Sequence, residues 1–103
     1  MDVALLYFDD CPNWRRTAAM LDDLAAELAF TWSAVVVDTP EAAQAARFHG
    51  SPSIHIDGVD PFADPTTPVS LSCRIYRTPT GIAGSPDRSQ LKDALIKGGT
   101  RSR

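Results

Sequence analysis

The sequence predicts a single α/β domain in the order β-α-β-α-β-β-α, with a central mixed four-stranded sheet flanked by helices. Three observations lead to it. The 103 residues suffice for one hydrophobic core and are too few for two. Short apolar runs bounded by turn residues alternate with segments of helical period. Two of the three helical segments open on a capping residue followed by proline, Thr39-Pro40 and Ser85-Pro86.

Residues 2 to 8, Asp-Val-Ala-Leu-Leu-Tyr-Phe, are apolar on both faces, as a strand covered by helices on both sides is. This strand is expected at the centre of the sheet. Trp14, Ala18, Leu21, Ala25 and Leu28 then recur at spacings of four and three, with Arg15, Arg16, Asp22, Asp23 and Glu27 on other faces. An amphipathic helix over about 12 to 29 follows. Residues 31 to 37 are β-branched and aromatic, predicting a second buried strand that Asp38-Thr39-Pro40 ends. Thr39 as N-cap, Pro40 at the first helical position and Glu41 beside the positive helix end open a short Ala-rich helix reaching about Phe48, closed by Gly50.

Ile54 and Ile56 alternate with His55 in a third strand that Pro52 immediately precedes. The stretch from 58 to 70 carries Pro61, Pro65 and Pro68 and reads as a long irregular loop, either one that shields the thiol or binds a partner or a plain solvated insertion. Leu71, Cys73 and Ile75 alternate with Ser72, Arg74 and Tyr76, predicting a half-exposed strand over 71 to 77 at or near the sheet edge. After the turn Thr78-Pro79-Thr80-Gly81, a third helix is expected from about 86 to 97. Gly98-Gly99 should end it, with a frayed tail from 100 to 103. Strands joined through helices must be parallel, whereas the last two, joined by a loop, can be antiparallel.

Composition narrows the function classes. Apolar residues make up 44% and charged residues 22% of the chain, which is ordinary for a globular protein. The net charge of -3 and the absence of any Lys/Arg run interleaved with aromatics argue against nucleic acid as a partner. No apolar run approaches the roughly 20 residues of a membrane-spanning helix, so no membrane role is expected. Met1-Asp2 leads directly into the first strand without a basic region or cleavage site, and the expected address is cytoplasmic.

Two cysteines, Cys11 and Cys73, stand 62 positions apart. In a reducing compartment both thiols are expected to be free, and their pKa and exposure then decide their chemistry. With His49 and His55 they show none of the close paired spacings of structural zinc sites, so neither metal nor other cofactor is expected. His55 reads as an ordinary sheet-face histidine.

Cys11 is the candidate nucleophile. It stands in Asp10-Cys11-Pro12-Asn13-Trp14, between the first strand and the first helix, where unpaired backbone N–H groups and the helix dipole favour thiolate. Pro12 loses nothing there, because its missing N–H would have no helical partner. Arg15 and Arg16 act in the same direction, and Asp9 and Asp10 oppose it.

The order of elements, the Cys-Pro step at the first helix and Ser51-Pro52-Ser53 directly before the third strand together resemble the thioredoxin-like superfamily. The whole chain also resembles small bacterial thioredoxin-family proteins that are sometimes labelled relatives of alkylmercury lyase. The segments that carry this likeness include Asp60-Pro61-Phe62-Ala63-Asp64, Ser72-Cys73-Arg74-Ile75-Tyr76 and Gly84. The resemblance implies a cis Pro52 facing Cys11, and a Ser51 backbone edge on which a peptide or glutathione pairs like an added strand. A trans proline that merely starts a strand is the plainer alternative. Trp14 reads either as core packing or as a wall beside Cys11.

Dithiol members would carry a second cysteine at position 14, where this chain has Trp14. Chemistry at Cys11 is then monothiol or recruits Cys73. A plain hairpin register sets Cys73 opposite Asp57, far from Pro52, which disfavours a bridge. The expected function is thiol redox or thiol transfer on a protein or glutathione, with Cys11, Pro52 and Cys73 catalytic and Ser51, Trp14 and Pro12 lining the substrate. Two alternatives stand beside it: a non-catalytic binding module, and mercury or metal handling by two soft thiolates. Ser85 to Asp87 reads first as a helix cap and second as a carboxylate or α-amino site.

Overall fold

The computed structural model describes residues 1–63 and 66–101. Asp64 and Pro65 of the predicted loop, and Ser102 and Arg103 of the predicted tail, lie outside the described residues. The chain is α/β, with three helices and seven strands among the described residues: β1 (Val3–Tyr7), α1 (Trp14–Leu28), β2 (Trp32–Val36), α2 (Pro40–Ala46), β3 (His49–Ser51), β4 (Ser53–Ile56), β5 (Ser70–Cys73), β6 (Tyr76–Thr78), β7 (Gly81–Ala83) and α3 (Arg88–Arg101).

β1 is central, as its two apolar faces require. It pairs in parallel with β2, Val3 opposite Trp32, and antiparallel with β4, Val3 opposite Ile56. The alternation of β1 divides the core. Val3 and Leu5 join Leu21 and Leu24 of α1, Ile54 and Ile56 of β4, and Leu91 and Leu95 of α3. Leu6 turns the other way, to Val37, Ala43 of α2 and Phe48, with Val69 and Leu71 packed against them. Two small cores on opposite faces of one sheet result.

The sheet differs from the expected four strands: it has three, in the order β2-β1-β4, beside two separate two-stranded sheets, β3-β5 and β6-β7. The predicted strand over 71 to 77 is two strands. Its break falls at Arg74, whose buried side chain is drawn to Asp60, while Ile75 is left exposed. β7 was not expected; it pairs antiparallel with β6 across the predicted Thr78-Gly81 turn. β2 is exposed from Ser33 to Val36 rather than buried, because it is the edge of the sheet and Val37, one residue past it, carries the burial.

Helix ends follow local chemistry. The Thr39 hydroxyl accepts from the Ala42 N–H at 3.1 Å, with Pro40 next, as expected. α2 ends on a left-handed Arg47 rather than at Gly50, which belongs instead to β3. Asp87, not Ser85, caps α3: its carboxylate accepts from the Gln90 N–H at 2.8 Å and the Gln90 side chain accepts from the Asp87 N–H at 3.1 Å. α3 also runs through Gly98-Gly99 to Arg101 instead of stopping there. A side chain at 98 would collide with Ile56, so this glycine serves close helix–strand packing rather than termination.

Candidate cysteine site

The loop from β1 to α1 carries Cys11. Its N–H donates to the Phe8 carbonyl at 3.2 Å, and the Arg15 N–H donates to the Pro12 carbonyl at 3.3 Å, so a turn precedes the first helical residue, Trp14. Cys11 therefore lies two residues ahead of the Asn13 cap, where the sequence placed it beside the first turn. It is fully buried. Pro12 is exposed.

Ser51 and Pro52 meet this loop from the other side. The Ser51–Pro52 peptide bond is cis, as the resemblance implied. The Ser51 hydroxyl accepts from the Phe8 N–H at 3.1 Å, and its carbonyl oxygen lies 3.5 Å from the Cys11 sulfur. The Pro52 carbonyl accepts from the Tyr76 hydroxyl at 2.6 Å. Burial of that phenol pushes its pKa upward, so Tyr76 stays a neutral donor.

Cys73 arrives by a route that the hairpin register missed. β5 lies parallel to β3, with Ser51 opposite Cys73 rather than Asp57 opposite Cys73, and the Arg74 N–H donates to the Ser51 carbonyl at 2.8 Å. The Cys11 and Cys73 Cα atoms are 5.8 Å apart and the two sulfurs form a disulfide. This corrects the expectation of two free thiols. It also brings Cys11, Ser51, Pro52 and Cys73 into one site. The edge of Ser51 on which a peptide was expected to pair is held instead by the chain's own β5.

Gly50 makes this approach possible. It sits at φ +104°, at an irregularity in the β3–β5 register, and a Cβ there would stand 3.0 Å from the Ser72 carbonyl oxygen and 3.1 Å from the Arg74 Cβ.

Trp14 takes the packing role. It is half-buried, stacks on Tyr7 at 4.3 Å between ring centroids, carries the Arg15 guanidinium over its face at 5.4 Å and packs against the first core.

Sequence reasoning missed the group that fixes Cys73. Arg74 and Asp60 form an ion pair at 2.5 Å with side chains 6% and 5% exposed, and Arg74 also donates to the Ser53 hydroxyl at 3.1 Å and lies 4.7 Å from the Tyr76 ring centroid. A cation inside an otherwise alternating strand, and an Asp-Pro step in the loop before it, were the available signals. Among the described residues no group of three or more His, Cys, Asp and Glu could hold a metal ion. Among them, too, no helix is long and apolar enough to cross a membrane.

Comparison of the chain with protein-family models, with curated proteins and with solved structures found no match.

Proposed function

We propose that the protein is a thioredoxin-like thiol–disulfide exchange protein whose working pair is Cys11 and Cys73. The observation that carries this reading is the disulfide itself, which joins a cysteine at a strand–helix junction to one on a strand laid against Ser51-Pro52. The order β-α-β-α followed by a strand antiparallel to the first and a C-terminal helix supports the fold reading.

Position 14 lacks a cysteine, so the second sulfur comes from β5. The pair then works as a dithiol device with a spacing of 62 residues. In the oxidising direction, two partner thiols give up two electrons and two protons and become a disulfide, while the Cys11–Cys73 bond is reduced to two thiols. The reverse reduces a partner disulfide. The substrate class is a protein thiol or disulfide, or glutathione.

Reduction of insulin disulfides by dithiothreitol tests this. Wild type should accelerate the reaction, and Cys11→Ser and Cys73→Ser should each lose the acceleration. Equal rates with wild type and both variants would make the bridge a structural staple.

A further inference from the structure

We infer that the sulfur of this pair open to a partner is that of Cys73, and that Cys11 is the leaving and resolving group. This deepens the proposed function and rests on it.

Thiol–disulfide exchange is an in-line displacement: the incoming sulfur must approach along the S–S axis, behind the sulfur it attacks. The two cysteines differ sharply in exposure. Cys11 is fully buried, with Cys73 on one side and the Ser51 carbonyl oxygen 3.5 Å away. An incoming thiol therefore finds no exposed surface at Cys11. Cys73 is an exposed residue on β5, the end of the bridge that meets solvent.

The surroundings suit the same order of events. A partner thiol loses its proton and its sulfur bonds to the Cys73 sulfur; the S–S bond breaks and the electron pair leaves with Cys11. That sulfur takes up a proton and becomes a thiol, placed to donate to the Ser51 carbonyl. No other oxidant is needed. A second thiol of the partner then attacks the partner's own sulfur in the mixed disulfide, expelling Cys73 as thiolate.

β5 can hold its place throughout. The Ser70 N–H donates to the Phe48 carbonyl at 2.9 Å, the Arg74 N–H to Ser51 at 2.8 Å, and the Arg74 side chain to Asp60. Cys11 therefore stays within reach of the Cys73 mixed disulfide and can reverse it.

The test uses the oxidised wild-type protein, so folding of a variant does not enter. A short pulse of glutathione is quenched with acid, the chain is unfolded, its free thiols are blocked with maleimide, and the peptides are mapped by mass. The inference predicts glutathione on the peptide that carries Cys73 and maleimide on the one that carries Cys11. Glutathione on Cys11, or on both in similar amount, would overturn the inference and leave the proposed function standing. A folded oxidised protein that takes up no glutathione, or a chain without the intramolecular disulfide, would overturn both.

Discussion

Arg74 is the residue on which the placement of Cys73 most depends. A guanidinium with a 6% exposed side chain is tolerable only because Asp60, the Ser53 hydroxyl and the Tyr76 ring face surround it. Asp60→Asn keeps the size and removes the charge, leaving a buried cation without its counter-ion. The expected loss of stability is about 3–5 kcal/mol, read as a lower denaturant midpoint. A second residue gives a pH dependence. Burial of the His55 ring lowers its pKa, with Asp60 opposing and His49 and Arg74 acting in the same direction as burial, and its buried Nε2 has no hydrogen-bond partner among the described residues. As pH falls through the ordinary histidine range, the unfolded chain takes up the proton first. Stability is therefore full above about pH 6.5 and declines toward the lower folded value. The denaturation midpoint of the wild type should fall on going from about pH 7.5 to about pH 5.5, and that slope should flatten in His55→Gln. An identical slope in both would remove His55 as the cause.

At the scale of elements, the irregular β3–β5 pair is what turns two distant cysteines into neighbours. Gly50→Ala introduces a side chain at φ +104° against the Ser72 carbonyl and the Arg74 Cβ. A cost of about 1–3 kcal/mol is expected, with the disulfide becoming easier to reduce as β5 is pushed away. Reduction rates in dithiothreitol would check the second part. Thr39→Ala, by contrast, removes only the cap of α2, and should lower stability by about 1 kcal/mol, read as a lower denaturant midpoint. These two elements also mark the boundary of what the sequence discloses. β1, α1 and α2 were legible because periodicity and capping are local: Leu21 of the predicted stripe is buried, although Thr17 and Leu24 beside it share that burial, and Thr39 caps as read. The β3–β5 pairing was not, since a parallel contact between segments about 20 residues apart leaves no local pattern, and Gly50 resembles a helix terminator. β2 failed for a related reason: its β-branched run looks the same at the edge of a sheet as in its centre.

At the scale of the whole molecule, the disulfide closes a loop of 62 residues. In the chain-entropy picture a closure of that length stabilises the fold by about 4 kcal/mol. Both hydrophobic cores are nevertheless built without the cysteines. Reduction should thus lower the thermal midpoint while leaving the far-ultraviolet dichroism at room temperature close to that of the oxidised form. The central claim is that Cys11 and Cys73 are a reversible redox pair of the folded protein. The most direct test equilibrates the protein in glutathione buffers of graded poise, without denaturant, and counts trapped thiols on the intact chain by mass. A two-electron transition between no free thiols and two, with the protein folded at both ends, is the predicted result. A disulfide that yields only once the chain is unfolded, or cysteines that never pair, would contradict it.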